Sequence, residues 1–485
     1  MEHFTKMLKT VLFTTYACIF CTNCANKREI HIIGSVRNAD SAPLIYYRSV
    51  DGMFNSQTFD TLNLQPDSTF ALTLPGGKYE RIDFSLLGKK SLGTLLTKSG
   101  TIQLQLDGRA EKPMIITSGS DEKIDHVTKI LNQLSDDASA ACVREGDRWG
   151  TAHDTVASSV RRKLTDYALS LDKEMKNVDK DLRTNAQQDI RMQLLHVFQN
   201  QLLTISRHAS ETTKQEWFAE LDSITIFCSI NHPCSPFSAS FYDVVNYDAA
   251  IRYNVIGEPK PEDAGEGVEL AFHDYNHRLT GKAQEAALAQ LFLNDENEER
   301  YDLKLVQLSD KFRKLYPKSL WLPWVNRAVD KNCSFNRTEI TADFNFPDVS
   351  SAETIKDLTN LYKGKVIYMD IWATWCGPCR ASFAHIGALQ KYADANDIVL
   401  LYLSIDSPSD DLKWRKMVTQ YNLKGEHVRL QETFHQEVYD TFGNHGTLTI
   451  PRYVIFDKQG KIRYITAASP EQMDKLQEQL LEASK

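Results

Sequence analysis

A chain of 485 residues has room for about three domains. Its make-up, 42% hydrophobic and 25% charged, is that of folded protein and excludes wholesale disorder. A formal net charge of −8 argues against a nucleic-acid partner, which needs a basic face.

The N-terminus reads as a targeting segment over residues 1–24. Lys6 and Lys9 precede a largely apolar run, 11–20, too short for a comfortable transmembrane helix. Cys18, Cys21 and Cys24 follow in a cluster. Cysteine at the end of such a run resembles a bacterial lipoprotein signal. That resemblance implies a lipidated cysteine, with Cys24 preferred because it lies nearest the polar mature chain. Cys18 stays open because it follows Ala17. Plain secretion and an uncleaved anchor are the alternatives. Each places the protein outside the cytoplasm, where disulfides persist.

Residues 29–116 read as an all-β sandwich. Thr101 to Leu106 alternates strictly, and Phe70, Leu72 and Leu74 alternate before Pro75 and Gly76. Ile30, Ile32 and residues 79–86 supply further strands, and the punctuation suggests antiparallel pairing. Residues 120–332 read as a mainly helical domain. Ile190, Leu194, Val197, Phe198, Leu202 and Ile205 share one helical face, and Leu305, Leu308, Phe312 and Leu315 share another. Cys228 and Cys234 flank a turn at His232-Pro233, where pairing and two free thiols are both open. Tyr316, Trp321 and Trp324 read as core. Residues 333–345 read as a linker.

The chemistry sits in the last part of the chain, 340–485. The apolar run 366–371 is a buried-strand pattern that leads straight into Trp375-Cys376-Gly377-Pro378-Cys379, with helical spacing beyond. A strand feeding a helix with C-x-x-C at the junction is a redox arrangement. Cys376 falls at a helix start, where free backbone N–H groups favour a thiolate, the nucleophilic form. Pro378 costs little in a first turn. Cys379, one turn on, is placed to attack a mixed disulfide. A zinc site needs further ligands, and neither a second C-x-x-C nor a nearby H-x3-H follows. Asp370, six residues before Cys376, lies inside the buried strand, where desolvation raises a carboxyl's pKa.

The W-C-G-P-C motif after an apolar strand resembles thioredoxin, and the longer pattern resembles the membrane-tethered TlpA/ResA thiol-disulfide oxidoreductases. The later order fits that α/β fold: strand 398–405, helix 409–421, strand 428–430, helix 433–442, a hairpin through 452–466 and a terminal helix from Pro470. The resemblance implies Cys376 as nucleophile, Cys379 as resolver and Asp370 as proton acceptor for Cys379. It also implies a cis bond at Ile450-Pro451, with Trp375, Gly377, Pro378, Ile450 and Pro451 against the substrate. Family members often carry an acid three positions after the second cysteine, where this chain has Ser382. The implied partners are protein disulfides, a membrane or periplasmic thiol donor and the membrane itself through the lipid. No nicotinamide or flavin fingerprint is visible, so no cofactor or metal is expected. Two other readings stay open. One is a thiol peroxidase of the alkyl hydroperoxide reductase type, against which Ala373 stands where that chemistry usually has Thr. The other is a partner-binding envelope lipoprotein with incidental redox activity.

Overall fold

The computed structural model describes residues 29–143 and 157–485, apart from a few short loop positions. The targeting segment, with Cys18, Cys21 and Cys24, and the side chain of Cys142 lie outside the described residues. The chain divides into two compact units. One holds residues up to 46 together with 60–132, and the other holds 47–59 together with 133–485.

The first unit is built from β1 (Glu29–Arg37), β2 (Leu44–Val50), β3 (Met53–Phe54), β4 (Asp60–Leu62), β5 (Thr69–Pro75), β6 (Glu80–Leu86), β7 (Lys90–Thr97), β8 (Gly100–Asp107) and β9 (Met114–Ser118), with β3 and the end of β2 falling in the other unit. One sheet has the order β5-β1-β8-β9; the other runs β3-β2-β6-β7, with β4 on β2. In β8 the buried Ile102, Leu104 and Leu106 alternate with the exposed Thr101, Gln103 and Gln105, as a sheet with one covered face requires. Ile32, Phe70, Ile82, Phe84 and Leu104 from the two sheets meet in one apolar cluster. Gly34 lies where any side chain would overlap the Phe70 ring. The pairing is not wholly antiparallel as expected, because β1 and β8 run parallel. Their connection passes through the second sheet, and a crossover of that kind is what parallel neighbours need.

The helical region comprises α1 (Glu122–Val143), α2 (Ala157–Glu174), α3 (Lys180–Ser206), α4 (Glu211–Cys228), α5 (Phe241–Ala250), α6 (Val268–Arg278), α7 (Gly281–Asn297), α8 (Leu303–Leu315) and α9 (Leu322–Asn336). Asp179 caps α3 by accepting the Asp181 and Leu182 N–H groups, and Ser210 caps α4. Cys228 and Cys234 are both free. Burial pushes the Cys228 thiol up to about 12. Trp321 is fully buried and donates its indole N–H to the Met53 sulfur, so it belongs to the interior. The first four residues of the expected linker are instead the last turn of α9. There Asn336 donates to the Tyr301 and Asn332 carbonyls, and Phe335 stacks on Tyr301 at 4.2 Å.

The rest comprises α10 (Ile355–Asn360), β10 (Ile367–Trp372), α11 (Gly377–Ser382), α12 (Ile386–Ala395), β11 (Val399–Ser404), α13 (Asp411–Gln420), β12 (Glu426–Arg429), α14 (His435–Phe442), β13 (Arg452–Phe456), β14 (Ile462–Tyr464) and α15 (Met473–Ala483). The sheet order is β12-β11-β10-β13-β14, with β10, β11 and β12 parallel and the last two strands antiparallel. Every residue of the central β10 is buried, because both faces of the sheet are covered. Ile367, Met369 and Ile371 enter one core, while Tyr368 and Trp372 enter the other, together with Cys376 and Cys379. Tyr301 and Phe335 from the helical region belong to that second core.

Candidate active site

Cys376 and Cys379 form a disulfide, with Cα atoms 5.3 Å apart. Cys376 is the N-cap of α11, and its Sγ accepts the backbone N–H of Cys379 at 3.1 Å. That N–H favours a thiolate on Cys376 when the bond is reduced. Cys376 is 5% exposed and Cys379 fully buried, so of the two residues only the first reaches the surface. Trp375, 58% exposed, and Pro378 form an open rim, with Gly377 half-buried between them. Trp372 has no exposure and packs edge-on against Phe383, which makes it a wall of the core.

The Ile450-Pro451 peptide is cis. Arg452 pairs with Ile371 in the β10–β13 register, so Ile450 and Pro451 fall at the sheet end where the chain leaves Trp372 for the cysteines. Ile450 packs against the core that contains Cys376. Arg452 turns to the Thr466 hydroxyl at 2.8 Å.

Asp370 lies in mid-strand between Tyr402 and Tyr453. Side chains alternate along a strand, so Asp370 shares its face with Tyr368 and Trp372, the face of the cysteines. It is 1% exposed, and neither carboxylate oxygen has a hydrogen-bond partner. Burial alone pushes its pKa up to about 8. Such an acid holds a proton at neutral pH and exchanges it readily with a thiol of similar pKa. Ser382 follows Cys379 by three positions. It is buried and donates its hydroxyl to the Cys379 carbonyl at 2.8 Å.

Three further residues hold the dithiol loop. Asp406 follows β11, is 4% exposed, and accepts both the N–H and the hydroxyl of Thr374, the latter at 2.8 Å. Ser404 donates to the same carboxylate at 2.7 Å. Arg380, 7% exposed, donates to the Thr374 carbonyl at 2.8 Å. Thr374, two residues before Cys376, is thus tied at both peptide groups. Asp406 falls in the gap between the expected strand 398–405 and helix 409–421, and the sequence reading gave it no role. The available signal was that parallel neighbouring strands end side by side, which puts an acid after β11 next to the end of β10. Among the described residues, no group of three or more His, Cys, Asp or Glu is arranged to hold a metal ion.

A central sheet with a C-x-x-C pair at its strand-to-helix junction defines a thioredoxin-like thiol-disulfide oxidoreductase domain. The Redoxin family model matches residues 338–480. Thioredoxin from Coprinus comatus is 38% identical over 74 residues, which cover 15% of this chain and 68% of that protein. Thiol-disulfide oxidoreductase ResA from Bacillus thuringiensis subsp. konkukian is 28% identical over 102 residues, 21% of this chain. The chain spans about half the length of that relative, 54%. A Bacteroides vulgatus protein assigned as a thiol-disulfide oxidoreductase, solved in solution, is 29% identical. The match covers 30% of this chain and 90% of that one, with a TM-score of 0.22. The chain belongs to the thioredoxin family, and within it is TlpA/ResA-like.

Proposed function

We propose that the protein is an extracytoplasmic, membrane-anchored thiol-disulfide oxidoreductase that reduces protein disulfides through Cys376 and Cys379. The observation that carries this reading is the unpartnered, buried Asp370 carboxyl on the sheet face of the cysteines. In the reduced enzyme the Cys376 thiolate attacks a substrate disulfide. A Cys376–substrate bond forms, and the first substrate sulfur leaves as thiolate and takes a proton from solvent. In the fraction of molecules whose Asp370 is ionised, which grows as pH approaches about 8, the carboxylate takes the Cys379 proton and Cys379 attacks the Cys376 sulfur. The Cys376–Cys379 bond forms, and the second substrate sulfur leaves and is protonated. Two electrons have passed to the substrate, and an external dithiol donor at the membrane or in the periplasm returns them. Trp375, Gly377, Pro378, Ile450 and Pro451 form the substrate-facing surface in this reading.

The front sheets are read as a β-sandwich over 29–116 and the helices as a domain over 120–332, ahead of the redox domain at 340–485. Cys24 is the proposed lipid attachment site. Among the described residues, no helix is long and apolar enough to cross a membrane, so the anchor in this proposal lies in the N-terminal segment.

The test is a redox titration of the mature protein followed by trapping with Cys379→Ser in the native envelope. A reversible two-electron couple and a partner held covalently on Cys376 are expected. A pair that does not cycle, or a variant that traps no protein, overturns the reading.

A further inference from the structure

The turn between α7 and α8 of the helical region lies against the redox helix. A cleft of about 330 Å³ separates Asn297 and Glu298 from Gly377 and Ala381. At its base the Glu299 carboxylate is 3.6 Å from the Arg380 guanidinium. Tyr421, at the end of α13, donates to the same carboxylate at 2.6 Å. Tyr301, two residues on, is buried in the redox core. A polar chain therefore runs from the helical region to the loop before the nucleophile: Glu299 to Arg380, and Arg380 to the Thr374 carbonyl. The Arg380 side chain is only 6% exposed, so its charge is poorly screened, and Glu299 is the only acid ion-paired with it among the described residues. Other groups also face this charge. They are Lys413, on α13, and the Tyr301 and Tyr421 hydroxyls.

We propose that Glu299 is a positioning residue for the dithiol: by holding and neutralising Arg380 it fixes the Thr374–Cys376 loop and damps the positive field at the Cys376 sulfur. The helical region thereby makes the Cys376 thiol less acidic and the couple more reducing than the dithiol helix alone. This rests on Cys376 being the nucleophile. Loss of the Glu299 charge acts in one direction by two routes. The carboxylate's own repulsion of a thiolate disappears, and Arg380 becomes an uncompensated cation beside it.

The test uses the full reduced chain. Iodoacetamide alkylation of the Cys376 peptide is followed by mass spectrometry across pH 5–10 in wild type, Glu299→Gln and Tyr421→Phe. Glu299→Gln keeps the shape and an acceptor oxygen for Tyr421. It is expected to lower the apparent Cys376 pKa by about half a unit, roughly threefold in thiolate below the midpoint, as the loss of one partly screened charge near the dithiol loop would do. Tyr421→Phe keeps the Glu299 charge but frees the carboxylate, so a smaller shift of the same sign is expected. It decides the matter if Glu299→Gln fails to fold. Curves that superimpose on wild type, or a shift upward, overturn the proposal. A reduced wild-type chain that alkylates at Cys379 ahead of Cys376 overturns the nucleophile reading itself, and the two failures are thereby distinct. A role in folding alone changes thermal stability and leaves the alkylation midpoint in place.

Discussion

Asp370 carries a folding cost that follows from its surroundings. Its carboxyl keeps a proton up to about pH 8 in the folded chain and loses it near 3.8 when unfolded. The folded state therefore binds more protons between those values, and stability falls as pH rises through them. The expected slope is up to about 1.4 kcal/mol per pH unit, flattening above about pH 8. Asp370→Asn removes that slope, so urea melts of variant and wild type diverge steadily from pH 5 to pH 8. Parallel curves would mean that Asp370 is ionised throughout. The same variant is expected to slow resolution of a Cys376 mixed disulfide by about 10²-fold or more, measured by stopped-flow release of substrate thiol. An unchanged rate removes Asp370 from the proton transfer. Ser382 offers no substitute, since a hydroxyl bonded to the Cys379 carbonyl holds no exchangeable charge at neutral pH.

Helix α9 ends in the redox core and not in a linker, with consequences for stability. Phe335 is 5% exposed and stacks on Tyr301, and both belong to the cluster that contains Cys376 and Cys379. Phe335→Ala is expected to destabilise the redox domain by about 3 kcal/mol, read as a lower midpoint in thermal unfolding followed at the dithiol. A midpoint equal to wild type would mean that α9 contributes no packing there. The sequence reading left Phe335 in the expected linker, because nothing local shows what buries it. Its partner, Tyr301, lies in a turn 34 positions earlier, and Tyr301 takes a left-handed backbone, φ 52°, that sequence spacing does not reveal.

At the scale of the molecule, the redox domain accounts for less than a third of the chain, and the proposed lipid anchor is tested at the N-terminal cysteines. If Cys24 carries the lipid, Cys24→Ser moves the protein from the membrane fraction to the soluble envelope fraction, and Cys18→Ser leaves it in place. The reverse result reassigns the anchor to Cys18. The proposed reduction needs no cofactor carried by the chain, because both electrons enter and leave as thiols.

Several features are written in the sequence alone. Cys376 and Cys379, three apart after an apolar strand, set the dithiol, since local strand and helix patterns suffice to place them at one junction. Asp370 is legible as a buried acid for the same reason: an ionisable residue inside an all-apolar strand has nowhere exposed to go. Strict alternation marked β8, and the expected hairpin through 452–466 marked β13 and β14. Other features were decided only by packing between distant segments. The parallel β1–β8 pair, the Tyr301–Phe335 stack, the grip of Asp406 on Thr374 and the Glu299–Arg380 contact join residues 32 to 81 positions apart. No local period encodes such contacts. Hydrophobic spacing says that a residue turns inward, and the tertiary structure decides what it meets there.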